Sequence, residues 1–232
     1  VKKAARYAKE AYTRSENPAA ANILGHIASM EESDVPGINA FKDEFNMEDA
    51  VSYYKFSAEH NYIYAYENLA EITLKRMFSD KKNKNKFLNE YLEYLRPAAD
   101  NFEPWAANRL GLFYLKGEIK NKNNGDILSF GDDYIDRDEA YRFFKLATST
   151  FIDVNSGWAY ANMIIYYPQQ YKLNKNLESH ICALVGTCNA EAIEFVKSEL
   201  SHVYVPEYLS EAECKRILLN LDVDIDPLPV RS

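Results

Sequence analysis

The chain has 232 residues, 47% of them apolar and 27% charged, so it can bury a sizeable core as one large domain or as a short repeat array. Eight glycines and eight prolines are few for that length and disfavour an all-β design, while a net charge of −8 argues against nucleic-acid binding, which needs a basic stripe. Three cysteines are too few for a disulfide-built scaffold, and no apolar run reaches the roughly 18 residues of a membrane span.

Small residues recur along the chain at a fixed rhythm. In chain order the first unit carries Ala5, Thr13, Ala20 and Leu24. A loop over 31–46 separates it from the second, with Ala50, Ala58, Ala65 and Leu69 at the same spacings. After a short loop near 79–84 the third follows with Tyr91, Ala99, Ala106 and Leu110. The fourth comes after a loop over 117–135, with Ala140 and Thr148, then four extra residues before Ala159 and Met163.

This rhythm predicts helical hairpins. Ala50 and Ala58 lie about two turns apart on one helical face, where small side chains let another helix approach closely. Large residues fill the space between them: Tyr53 and Tyr54, Tyr94 and Leu95, Phe143 and Phe144. The second helix of each pair carries a small and a large apolar residue at i,i+4, as in Ala65 and Leu69. The first unit has no aromatic pair.

Residues 174–186, 189–200 and 210–220 read as three amphipathic helices, the last opened by Ser210 and Glu213 at capping-box spacing. They are expected to cover the open end of the array as a degenerate repeat within 169–221. Pro227 and Pro229 stop the helix and leave a tail over 222–232.

The stretch Ala106-Ala107-Asn108-Arg109-Leu110-Gly111-Leu112-Phe113-Tyr114-Leu115-Lys116-Gly117 resembles the Sel1-like repeat, whose pattern is A-x-x-x-L-G-x-x-Y-x-x-G. Residues 50–72 look like the repeat's other half, with Asn61 where the family has glycine, and 21–25 is a further fragment. Ala70 and Ile164 depart from the pattern by replacing the glycine after the large apolar residue. The resemblance spans roughly residues 4–168 and implies an all-α fold. Its antiparallel helix pairs would stack into a right-handed superhelix similar to tetratricopeptide arrays, in a protein that assembles complexes.

Chemistry-bearing motifs are sparse. His180, Cys182, Cys188 and Cys214 do not follow zinc spacing, and positions 180 and 182 point to different sides of a helix. The acidic run 222–226 has Pro227 where a calcium loop needs glycine. His26 and His60 have no partner at i+4, and no phosphate-cradling loop or nucleophile elbow occurs. No catalytic residue, cofactor or metal is therefore expected.

Binding offers more. In hairpin solenoids the first helix of each unit lines the concave side, and counting from the large apolar residues names its outward positions. Five before them stand Tyr64, Trp105 and Trp158; one before stand Asn68, Arg109 and Asn162; two after come His26, Glu71 and Leu112. With Asn108 these describe a groove of aromatic platforms, amide and guanidinium donors and an acid, suited to an extended peptide. Packing of the aromatic slot against the preceding unit is the alternative.

A second surface is acidic: Asp126, Asp132, Asp133, Asp136, Asp138 and Glu139 face one base, Arg137. It serves solubility and helix N-terminal charge, or complements a basic partner. The expected function is a protein-interaction module, with an immunity protein or inhibitor of a basic toxin or enzyme as the alternative. The expected partner is a protein or peptide bound by a monomer. The cytoplasm is the expected compartment, the periplasm or secretory pathway being alternatives if a signal peptide has been removed.

Overall fold

A computed structural model describes residues 1–33, 35–44, 49–121, 124–149 and 154–167. The expected C-terminal helices, the tail, and His180, Cys182, Cys188 and Cys214 lie outside the described residues. The described chain is mostly helical, its helices packed in sequential pairs, and divides into two units, Val1–Asn101 and Phe102 onward.

The first unit holds α1 (Lys2–Ser15), α2 (Pro18–Ser29), α3 (Ile38–Glu44), α4 (Ala50–Glu59), α5 (Tyr64–Ser79) and α6 (Lys84–Asp100). Within it α1 packs on α2, α2 on α4, α4 on α5, and α5 on α6. The alanine rhythm is the contact surface: Ala5, Ala20, Ala50, Ala58, Ala65 and Ala99 are buried with Leu24 and Leu69. Thr13 departs from it, exposed at the end of α1 with its hydroxyl donating to the Lys9 carbonyl. The loop expected over 31–46 contains α3, held by the Glu32 carboxylate, which accepts the Gly37 and Asn39 N–H groups at 2.5 and 3.1 Å. These bonds favour the ionised form and lower the Glu32 pKa.

The second unit holds α7 (Pro104–Lys116), α8 (Arg137–Ala147) and α9 (Val154–Tyr166), each packed on the other two. Ala106, Leu110, Ala140, Ala159 and Met163 are buried there. An all-α fold needs one correction. The segment read as a loop over 117–135 contains a two-stranded antiparallel hairpin, β1 (Glu118–Lys120) and β2 (Ile127–Ser129), with Ile119 opposite Leu128. Both of those side chains are buried, and the Phe130 N–H donates to the Gly117 carbonyl at 2.8 Å. Phe113 gathers Tyr114, Phe130 and Tyr134 around it, so the hairpin is anchored on the end of α7 by aromatic contact.

Two local devices recur in register. Three residues after the second small position the backbone turns left-handed, at Glu16 (φ 49°), Asn61 (φ 61°) and Phe102 (φ 64°). Left-handed backbone lets one helix stop and the next begin at a sharp angle, so the slot favours glycine, or asparagine as at Asn61. The second device is the glycine after the large apolar residue. A Cβ built on Gly25 would lie 2.7 Å from the Tyr54 ring, and one on Gly111 would lie 2.6 Å from the Phe144 ring. Each glycine on a second helix thus seats the second aromatic of the following first helix, between α2 and α4 and again between α7 and α8.

Candidate functional site

All ten residues expected to line a groove stand on α2, α5, α7 or α9, the helices that carry Leu24, Leu69, Leu110 and Met163, rather than on α1, α4, α6 or α8. Helical spacing puts Tyr64 and Asn68 on one stripe of α5, Trp105, Asn108 and Arg109 on one stripe of α7, and Trp158 and Asn162 on one stripe of α9.

In the first unit the Asn68 Nδ2 donates to Asn22 Oδ1 at 3.0 Å and to the Tyr64 carbonyl at 3.2 Å. In the second unit the Asn162 Nδ2 donates to Asn108 Oδ1 at 3.4 Å. The two pairs occupy matching slots: Asn22 and Asn108 stand two residues before Leu24 and Leu110, and Asn68 and Asn162 one residue before Leu69 and Met163. An asparagine amide offers both an NH2 and an oxygen. Each pair spends one of each internally, so each keeps one donor and one acceptor; exchanging O and N on both amides leaves that balance unchanged for Asn108 and Asn162, while the Tyr64 carbonyl fixes the orientation of the Asn68 amide. Among the described residues the remaining Asn22 and Asn108 Nδ2 and the Asn68 and Asn162 Oδ1 make no further hydrogen bond.

The pairs differ in depth. Asn22 and Asn68 are half-buried, whereas Asn108 and Asn162 are each 7% exposed. The aromatic slot also divides: Tyr64 is 54% exposed, Trp105 is 7% exposed, and Trp158 is half-buried. The Arg109 guanidinium stands 5.6 Å over the Trp105 ring, and the Trp105 indole nitrogen is buried with no hydrogen-bond partner among the described residues. His26 is exposed, and Glu71 and Leu112 are half-buried. Sequence reasoning missed Asn22, although its offset from Leu24 is that of Asn108 from Leu110.

Asp132 and Asp133 lie in a 3-10 turn, and with Asp136 and Asp138 they are exposed. Asp136 is the N-cap of α8, its Oδ1 accepting the Asp138 and Glu139 N–H groups at 3.1 and 2.9 Å. Asp138 and Glu139 fill the first turn, where negative charge meets the positive end of the helix dipole. Glu139 also takes both arms of Arg142 at 2.7 Å.

Among the described residues no three His, Cys, Asp or Glu side chains gather as a metal site, and no helix is long and apolar enough to cross a membrane. No protein-family model matches this chain, and neither does any curated protein or solved structure.

Proposed function

We propose that this chain is an interaction module of the Sel1-like kind in which each unit, at its own asparagine couplet, grips extended main chain of another protein. The observation that carries this reading is the pair of asparagine couplets, Asn22 with Asn68 and Asn108 with Asn162. Each offers one N–H donor and one carbonyl acceptor, the complement of a peptide group's C=O and N–H. Main-chain recognition of that sort favours an extended ligand, because a helical ligand has already spent those groups internally. The open ring of Tyr64 adds an aromatic contact beside the first couplet. The repeat register, with its left-handed slot and its glycine seats, supports the family resemblance and a stacked-hairpin solenoid.

The experiment uses the full chain. Random peptides displayed on phage are selected against it, and the binders are measured by fluorescence anisotropy with the wild type, N22A/N68A and N108A/N162A. Each variant with wild-type circular dichroism should bind about tenfold more weakly, the worth of a hydrogen bond or two. Folded variants that retain full affinity would refute the couplets as the grip.

The exposed Asp132, Asp133 and Asp138 support a second reading, capture of a basic enzyme or toxin. It predicts one tight partner whose association rate falls steeply with salt and with D132N/D133N/D138N. Binding to many short peptides with little salt dependence would exclude it.

A further inference from the structure

An open apolar groove of about 370 Å³ runs between α1 and α2 in the first unit, lined by Ala4, Tyr7, Ala8, Ala11, Ala19 and Ile23 among others. Tyr7 is 53% exposed and Ile23 46% exposed, so two large apolar side chains stand in water at its lips. The groove lies on the side of the pair away from α4. Tyr12 turns toward α4 and meets the Tyr53 and Phe56 rings at 5.7 and 5.0 Å, and five residues of helix place Tyr7 about 140° round from it. The repeat register says what kind of face this is. The second hairpin meets the first through Tyr53, packed on Ala8, Ala20 and Leu24, through Phe56 on Tyr12, and through Asn68 on Asn22. The same ruler positions in the first hairpin are Ala8, Ala11 and Ile23, and all three line the groove. A face of the joint-making kind is therefore present, with alanine where two rings would fill it, and whatever docks there must bring the large side chains itself. Helix α4 packs on the other side of the same pair, so a helix is the shape that fits.

Charge fixes the chemistry of the occupant. Helix α1 carries Lys2, Lys3, Arg6, Lys9 and Arg14 against Glu10 alone, in a chain whose net charge is −8, and Glu10 is taken by Arg14 at 2.8 Å. Helix α2 has no Lys, Arg, Asp or Glu. The exposed Lys3 and Arg6 hold their cationic groups 5.9 and 5.3 Å from the Tyr7 ring, so the groove has one cationic wall and one neutral wall. We propose that the α1–α2 groove docks an acidic amphipathic helix of another protein, its large apolar side chains against Ala11, Tyr7 and Ile23 and its carboxylates toward Lys3 and Arg6. A second copy seated through the same face would set two cationic α1 helices side by side, which like charge opposes. An anionic membrane shares the charge but is flat, and the apolar floor here is recessed alanine rather than protruding side chains. The site is separate from the asparagine couplets and takes the opposite form of ligand, a helix recognised by its side chains rather than extended main chain.

The test uses the full chain, labelled with 13C in its alanine and isoleucine methyl groups, and three model peptides of about 18 residues, long enough to run the length of α1. One has leucine and phenylalanine on one helical face and glutamate on the other; its twin has lysine in place of glutamate; the third scrambles the acidic composition so that no apolar face forms. Fluorescence anisotropy should show saturable binding of the first, with the lysine and scrambled peptides each at least about tenfold weaker. Methyl shifts should gather at Ala4, Ala11 and Ile23. In K3E/R6E with wild-type circular dichroism, the acidic helix should bind at least about tenfold more weakly and the lysine helix more tightly, while extended peptides selected against the chain bind as before. Absence of binding by the acidic helix, equal binding of its lysine twin or its scrambled form, shifts that avoid the groove, or undiminished affinity in K3E/R6E overturns the proposal. Capture of the chain by phosphatidylserine-containing vesicles in preference to the acidic helix overturns it in favour of a membrane. Self-association of the chain that Ile23→Glu abolishes overturns it in favour of a second copy.

Discussion

Replacing Gly25 by alanine tests the joint between hairpins most sharply. At an ordinary position inside a helix this change stabilises by about 1 kcal/mol, because alanine loses less backbone entropy. Here the new Cβ would stand 2.7 Å from two atoms of the Tyr54 ring, where ordinary contact begins near 3.4 Å. The ring is buried and backed by the cluster of Ala50, Ala58, Ala65 and Leu69, so it has no free direction in which to retreat. Overpacking of this kind costs about 1–3 kcal/mol. The propensity gain offsets roughly 1 kcal/mol of it, leaving a net loss of about 0–2 kcal/mol. In a Tyr54→Leu background the obstacle is gone, and Gly25→Ala should stabilise by about 1 kcal/mol. The sign change gives a coupling of about 1–3 kcal/mol in the double-mutant cycle, read from urea unfolding of the four proteins. Gly111→Ala with Phe144→Leu repeats the test in the second unit, where the approach is 2.6 Å. If Gly25→Ala stabilises equally in both backgrounds, the glycine is not a seat for the ring and the joint has been misread.

The left-handed slot predicts a gain: Glu16→Gly removes a strain of about 1–2 kcal/mol against an entropy loss of about 0.5–1, so its urea midpoint should rise slightly. Glu16→Val at the same place should lower it. Asp136→Ala removes the cap of α8 and should destabilise the second unit by about 1 kcal/mol, with Asp136→Asn keeping most of the stability because its oxygen still accepts. Burial raises the Tyr54 pKa above that of an exposed tyrosine. A group whose pKa is raised on folding stabilises below its unfolded value and loses that contribution as pH climbs through the folded one. The fold should therefore weaken under alkali above the ordinary tyrosine range, and Tyr54→Phe should move the alkaline unfolding midpoint upward, measured by circular dichroism.

The helices were legible because their chemistry is periodic. Alanines at matched offsets mark close helix contacts, and every ruler alanine among the described residues is buried. Asn61 was readable as a substitute for glycine, and its φ of 61° is the reason. The β1–β2 hairpin was not legible. Its strands are three residues long, too short for an alternating pattern, and Ile119 and Leu128 gain their meaning only from the aromatic cluster at the end of α7. Helix α3 was hidden for a related reason: seven residues rich in polar groups carry little periodicity, and Ile38 and Phe41 become a core only by meeting Ala5 and Ile27. The residues expected to line a groove could be named, but the pairing of their amides could not. Asn22 and Asn68 are 46 positions apart, and only packing of α2 on α5 brings their amides to 3.0 Å. Counting from landmarks also put the outward positions on the wrong helix of the pair, since the landmarks themselves belong to the second helix.

The departure at Ala70 from the glycine slot is met by a compensating change on the neighbouring helix. Where the second helix has glycine, the following first helix brings a six-membered ring: Gly25 meets Tyr54 and Gly111 meets Phe144. Between α5 and α6 the glycine slot holds Ala70, and the slot that elsewhere holds the ring holds Leu95. Both are fully buried, and α5 packs on α6. A methyl added on one side thus goes with a smaller side chain on the other, as a close-packed interior requires. Unrelated antiparallel helices would have no cause to exchange volume between those two positions. The same slots that keep this balance also set the distance between neighbouring second helices, and therefore the reach of Asn22 to Asn68 and of Asn108 to Asn162. On the proposed function the joint then governs binding as well: a change that wedges α2 from α4 should also part the first asparagine couplet, lowering peptide affinity in Gly25→Ala and restoring it in Gly25→Ala with Tyr54→Leu.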